Sequence, residues 1–292
     1  YALGEQIQYT DIWANDNYLQ FMYERLMMLN ELLAEDGCLW VHCDWHKSHQ
    51  LRCLLDEVLG AERFVNEVVW KRVDAHNNAY ALGSIHDTLF LYAKGDSHIW
   101  NQIYLPLPEG TIERWYRHVE EGTGKRFNKA DLTAPEAHAS SGQRYAWNGK
   151  YPAPGRVWAY NKANMERLER EGRLVYSANG MPYEKRYLED SKGVPLQDWW
   201  GDISFVRGIN SSQKADYPTQ KPYEILDRVV NLTSNPGDLA LDCFIGSGTT
   251  AAVAQKLGRR WIGCDINKGA IQTTAKRLQT IIQEQVEASR QG

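Results

Sequence analysis

Between Leu241 and Asn267 the chain reads LDCFIGSGTTAAVAQKLGRRWIGCDIN. Gly246, Gly248 and Ala251 satisfy the spacing G-x-G-x-x-G/A, and Asp265 lies 19 residues after Gly246. Glycines let a backbone turn tightly and approach a ligand. The amides at the following helix start attract anionic groups, and an acid ending the next strand can accept ribose hydroxyls. The same spacing also fits a plain glycine-rich strand-to-helix turn followed by a solvent-facing Asp.

Two further features narrow the ligand. Asp242 precedes the loop and can hold an ammonium group. Ser247, Thr249 and Thr250 add hydroxyls beside the helix-start amides, a setting that suits a carboxylate. An amino-acid-bearing nucleoside such as S-adenosylmethionine (SAM) presents both groups, and Asp265 would take its ribose. The competing reading is an NAD-dependent oxidoreductase. A dinucleotide fold needs a second βαβαβ half after the first, and only 27 residues follow Asp265. The remaining strands must then come from earlier residues, in permuted order.

Other reactive side chains offer less. Cys38, Cys43, Cys53, Cys243 and Cys264 form no CxxC pair, so reduced thiols are expected rather than a zinc cluster. His42, His46 and His49 straddle a strand and the turn after it, which does not converge on a metal. Asp44, at the end of that strand, suits a second pocket wall or a helix cap. The net charge of −4 gives no global attraction to nucleic acid, so such binding must rest on a local patch. No apolar run approaches the roughly 20 residues that span a bilayer. No charged-then-apolar leader opens the chain. A cytoplasmic protein without a membrane partner is expected.

Regular elements must position these groups. Leu19, Met22, Leu26, Leu29 and Leu33 recur at spacings of three and four, predicting an amphipathic helix from residue 15 or 16 to about residue 34. Cys38–Cys43 reads as a buried strand, 48–59 as a helix, and 64–70 and 88–92 as two strands of a hairpin. Regular structure resumes after Lys221, with a helix to about residue 234. A strand at 239–244, a helix at 249–257, a strand at 261–265 and a last helix from 268 follow. Between 96 and 200 the periodicity weakens, and seven of the ten prolines fall there. Aromatic and basic residues interleave in that stretch, as in Arg114-Trp115-Tyr116-Arg117, Lys125-Arg126-Phe127 and Lys185-Arg186-Tyr187.

The sequence DCFIGSGTT, preceded by YPTQKP, resembles the amino-methylating DNA methyltransferases (N6-adenine and N4-cytosine) of the permuted β order. In that family the target-base motif comes first, then the recognition region, then Thr-x-Lys-Pro, and last the SAM loop. FMYERL, EDGCLWVHCDW, NEVVWKR, IHDTLFLYAKG and QDWWGDI extend the resemblance over nearly the whole chain in the family's order.

The resemblance implies a SAM-dependent methyltransferase α/β fold of Rossmann-like type. Its sheet would be mostly parallel with an antiparallel edge hairpin, its motif order circularly permuted, and it would carry a loop-rich insert. Residues 1–95 would form the catalytic half, 96–200 the target-recognition insert and 201–292 the SAM-binding half. Asp242, Phe244, Gly246, Ser247, Gly248, Thr249 and Asp265 would line the SAM pocket, with Thr219, Gln220, Lys221 and Pro222 beside its methionine end. Cys243 and Ile245 depart from the family's usual residues without blocking a backbone-mediated site.

Arg114, Arg117, Lys125, Arg126, Lys185 and Arg186 are the expected contacts to double-stranded DNA. A solvated surface would have the same composition. Ile85, His86 and Asp87 fall near the family's base pocket, where a structural histidine fits equally well. The family's catalytic motif, Asp/Asn/Ser-Pro-Pro-aromatic, orients a flipped base. No two prolines are adjacent in this chain. The expectation is that the motif lies upstream of Tyr1 and that these residues alone do not methylate DNA. A non-catalytic DNA-binding relative is the second alternative. A restriction subunit is a candidate partner, and monomer and homodimer stay open.

Overall fold

The structure, a computed structural model, describes residues 2–3, 6–7, 15–75, 80–203 and 220–291. It divides into two compact units, Tyr1–Ile103 with Leu196–Gly292, and Tyr104–Pro195. The second unit is narrower than the 96–200 span expected from periodicity.

In the first unit, the helix Asn15–Leu32 carries the apolar stripe seen in the sequence. Its Met22 and Leu26 join Leu51 and Leu55 of the helix Ser48–Leu59 in covering Phe90 and Tyr92. Each fully buried Leu of this kind contributes roughly 2 kcal/mol. Strand side chains alternate between faces. Leu89 therefore points the other way, into a second cluster with Val68, Trp70, Trp200, Ile225 and Leu232, under the helix Tyr223–Thr233.

The strand His86–Ala93, buried at all but its first residue, thus serves two cores. It lies inside a four-stranded sheet, antiparallel to both Cys38–Asp44 and Phe64–Lys71. Trp199–Trp200 adds a parallel strand beyond Phe64–Lys71. Three of the four described strands therefore run the same way and only His86–Ala93 is reversed, and this second strand of the hairpin is internal rather than at an edge. Its apolar side chains on both faces are the physical reason.

A separate parallel pair, Leu239–Asp242 and Arg260–Gly263, is linked by the helix Thr249–Lys256 and followed by the helix Lys268–Gln291. Ala251, Ala252, Val253 and Ala254 are buried in the linking helix. Their small size lets its backbone lie close to its neighbours. Ile245, Ala251 and Leu278 form the local core, with Trp261 packed against it.

The second unit has its own antiparallel sheet, in the order Leu174–Tyr176, Pro182–Tyr187, Arg126–Asp131, His118–Val119. Its helix Lys162–Arg170 is capped by Asn161, whose side chain accepts the Asn164 amide at 2.9 Å. Leu132, Trp147, Trp158, Met165, Leu168 and Leu174 form its core. No helix among the described residues is long and apolar enough to cross a membrane.

Candidate functional site

The strand Leu239–Asp242 ends on an acid that spans the loop after it. Asp242 Oδ1 accepts the Phe244 amide at 2.9 Å, and Oδ2 accepts the Thr250 hydroxyl at 2.6 Å. The loop turns through Gly246 at φ 51° and Gly248 at φ 77°, both in the left-handed region that favours glycine. Across the loop, Asp265 Oδ2 accepts the Gly246 amide at 2.9 Å, while its Oδ1 accepts the Asn267 amide at 2.8 Å. Two acids therefore fix the loop from opposite sides.

The loop's inner side is closed. Ser247 and Thr249 are each 5% exposed, and their hydroxyls lie 3.3 Å apart. Arg277 Nη1 donates to Ser247 O and to Thr249 Oγ1, both at 3.2 Å. Thr274 Oγ1 donates to Gly246 O at 3.0 Å. The outer side is open: Phe244 is 46% exposed, and its ring lies 6.0 Å from that of Phe21 on the first helix. The Arg25 guanidinium covers Phe21 at 3.9 Å.

A second group gathers at one end of the four-stranded sheet. Asp87, 2% exposed, accepts from His42 Nε2 at 3.1 Å and faces Arg72 Nε at 3.5 Å. Burial lowers the His42 pKa from its ordinary value, and the bond to Asp87 opposes this only in part. Burial alone would raise the Asp87 carboxyl; the His42 hydrogen bond and the Arg72 and Lys221 charges hold it low. Lys221 is likewise pulled down by burial, while Asp87 and Asp44 pull it up. Among the described residues its ammonium makes no hydrogen bond. Asp44 secures the turn after its strand by accepting the His46 amide and facing His46 Nδ1, both at 3.0 Å.

Burial, as the largest cause, raises Cys38 and Cys243 to about 11 and Cys43 to about 12, which disfavours the thiolate at these three cysteines. Among the described residues no group of His, Cys, Asp and Glu has a metal-holding arrangement.

In the second unit the basic residues divide. Lys185 Nζ donates to Glu120 at 2.6 Å, and with Thr123 and Tyr187 it holds the Glu120 pKa at about 2. Lys125 pairs with Glu189, and Arg186 Nε donates to Glu184 at 3.1 Å. Arg126 Nε is taken by Tyr116 O at 3.0 Å. Arg114, Arg117 and Lys129 are exposed, and among the described residues their charges meet no carboxylate. His118, beside Phe127 in the sheet, has its pKa lowered by burial and then by Lys129 and Arg117, so these two cations border one histidine.

The structure thus brings Asp242, Phe244, Gly246, Ser247, Gly248, Thr249 and Asp265 around one loop. The Ser247 and Thr249 hydroxyls face each other on the buried side of the loop, where Arg277 donates to Thr249 Oγ1. Gln220 and Pro222 are buried just ahead of the helix Tyr223–Thr233. Thr219 lies outside the described residues. Sequence reasoning missed Arg277, Thr274, Lys129 and the His42–Asp87–Arg72 contacts. A polar pair at i and i+3 on the buried side of the last helix was the available signal for the first two.

An acid-flanked glycine loop thus joins two parallel strands of an α/β fold through a helix. The DNA methylase family model (N6_N4_Mtase) matches residues 1–276, and the chain belongs to that family. It is 33% identical over 273 residues to the Type II methyltransferase M.EcaI of Enterobacter cloacae, covering 92% of this chain and 59% of that protein. It is 26% identical to the Mod subunit of the Type III restriction-modification enzyme StyLTI of Salmonella typhimurium, covering 88% of this chain and 42% of that protein. Among solved structures, the M1.HpyAVI–SAM complex aligns with a TM-score of 0.47 at 16% identity, covering 91% of this chain and 85% of that one.

Proposed function

We propose that this chain is the cofactor- and DNA-binding body of a site-specific DNA methyltransferase that acts on the exocyclic amine of adenine (N6) or cytosine (N4), with SAM as methyl donor. The observation that carries this reading is the loop held between Asp242 and Asp265. Each carboxylate oxygen accepts one protein bond, and a carboxylate offers about four lone-pair sites. Asp242 therefore keeps capacity for an ammonium and Asp265 for ribose hydroxyls. Gly246 and Gly248 give the loop its left-handed turns, and the exposed Phe244 ring offers a face to stack on. SAM, when bound, supplies an electrophilic methyl that passes to the base nitrogen as its S–CH3 bond breaks, with loss of one amine proton.

The second unit is proposed to hold double-stranded DNA through Arg114 and Arg117, the two expected contacts whose side chains are bonded to neither a carboxylate nor a backbone carbonyl among the described residues. Lys125, Lys185 and Arg186 would have to leave an ion pair first. The names of the relatives support a restriction-modification setting and a restriction subunit as partner.

No two prolines are adjacent in residues 1–292, so this stretch does not supply the acid-Pro-Pro-aromatic motif that would orient the base. We propose that it binds without transferring. The test is calorimetric titration of the 292-residue chain with SAM and with NAD, together with an assay of labelled methyl transfer to duplex DNA. Binding of SAM, weak or absent binding of NAD, and no labelled DNA are expected. Preference for NAD would remove the methyltransferase reading, and labelled DNA would remove the claim of inactivity.

A further inference from the structure

Arg277 is an unusual choice for its place. It lies on the helix Lys268–Gln291, one turn after Thr274 and next to the buried Leu278. Its guanidinium approaches the first residue of the helix Thr249–Lys256. A helix N-terminus carries partial positive charge, so a cation there is unfavourable. Burial adds to this by drawing the Arg277 pKa below its ordinary value. Among the described residues no carboxylate compensates for either effect.

What Arg277 does have is two oxygens of the cofactor loop. Nη1 donates to the Ser247 carbonyl and the Thr249 hydroxyl, both buried, both at 3.2 Å. Thr274 donates to the Gly246 carbonyl at 3.0 Å. Thr274 also fills the space over Gly248: a Cβ there would lie 2.6 Å from its Oγ1 and Cγ2. Three consecutive loop residues and the first helical residue are therefore held from beneath by one face of the last helix. The Gly246 amide is held in turn by Asp265 at 2.9 Å and the Gly248 amide by the Ile245 carbonyl at 2.8 Å. If Arg277 is removed, the Ser247 carbonyl and Thr249 hydroxyl are left buried without that donor, which favours a rearranged loop.

We propose that Arg277, seconded by Thr274, is a positioning residue that sets the conformation of the Gly246–Thr249 loop before the cofactor arrives. This rests on the SAM reading above for its consequence, though not for its geometry. Arg277 is not a catalytic residue, since it acts from the inner side through the loop backbone.

The test uses the 292-residue chain and three variants, Arg277→Met, Arg277→Lys and Thr274→Val. Amide hydrogen exchange is followed without ligand over residues 244–251, and SAM affinity is measured by calorimetry. Loss of a charged donor to two buried oxygens is expected to speed exchange of the loop amides about tenfold in Arg277→Met, and to weaken SAM binding about tenfold. Exchange in the strand His86–Ala93 should stay unchanged. Arg277→Lys, which keeps a donor but not the fork, should recover part of both effects. Thr274→Val, nearly the same size, should show a smaller loop effect.

Loop exchange equal to the parent's in Arg277→Met overturns the proposal, as does faster exchange with undiminished SAM affinity. Should Arg277→Met unfold the chain, Arg277→Lys and Thr274→Val carry the same readouts. If the parent itself binds no SAM, the cofactor reading fails, while the ligand-free exchange still decides whether Arg277 orders the loop.

Discussion

Asp265 Oδ2 accepts the Gly246 amide at 2.9 Å, joining the glycine turn to the end of the second strand of the parallel pair. The other oxygen of the same carboxylate accepts the Asn267 amide at 2.8 Å, so one side chain ties two turns. Hydrogen bonds to a charged acceptor contribute about 1.5–3 kcal/mol each, and leaving their donors unpaired adds a penalty. Asp265→Ala is expected to lower unfolding stability by about 2 kcal/mol or more and to abolish measurable SAM binding. Asp265→Asn keeps one acceptor and should fall between the two. Urea unfolding monitored by circular dichroism, with SAM titration alongside, measures both. Asp265→Ala with parental stability would show that the bonds are incidental.

That Gly246 and Asp265 share one site was legible in the sequence, because their spacing follows from the length of one helix and one short strand; the direct bond was not, because the spacing marks Asp265 only as an acceptor for a ribose. The stripe through Met22 and Leu26 was legible for the same reason: helical periodicity is a local signal. The position of His86–Ala93 inside its sheet was not, because strand order depends on pairings among segments far apart in the chain. The second unit was read only as irregular. Its strands run from two to six residues, too short for alternation to stand out, and its core draws on Trp147, Trp158 and Met165 from separate segments. Lys125 and Lys185 looked like free basic residues because their carboxylate partners are 64 and 65 positions away.

Gly248 and Gly237 both sit at positive φ, 77° and 91°, but in different surroundings. A Cβ on Gly237 meets nothing within 4 Å, whereas one on Gly248 would lie 2.6 Å from Thr274. Gly237→Ala isolates the backbone strain, expected at about 1 kcal/mol. Gly248→Ala adds overpacking and should cost about 1–3 kcal/mol more. Chemical denaturation of the two variants gives the difference directly. Equal losses would mean that the last helix yields freely at Thr274.

His42 is kept neutral by burial beside Asp87, with its pKa below the ordinary 6.5. The unfolded chain takes up that proton near 6.5, whereas the folded chain resists it. Stability from this group is therefore present above pH 6.5 and is lost as the pH falls below it towards the lowered folded value. His42→Gln replaces the imidazole with an amide that can still donate to Asp87 and does not titrate. Its urea midpoint should decline less than the parent's between pH 7.5 and 5.5. Parallel declines would assign the acid sensitivity to other groups.

Arg114 and Arg117 are exposed without carboxylate partners among the described residues, whereas Lys125 is held by Glu189. A cation that neutralises a phosphate releases a counterion, and each such contact contributes about −0.9 to the slope of log K against log salt on duplex DNA. Arg114→Ala and Arg117→Ala should each reduce that slope by about one contact and weaken binding most at low salt. Lys125→Ala removes a charge already neutralised within the protein and should leave the slope near the parental value. Lys129, bordering His118 with Arg117, should behave like the two arginines. Fluorescence anisotropy with a labelled duplex across a salt series reads all four variants. A slope that falls equally in Lys125→Ala would mean that DNA displaces Glu189, and the division between paired and unpaired cations would lose its meaning for binding.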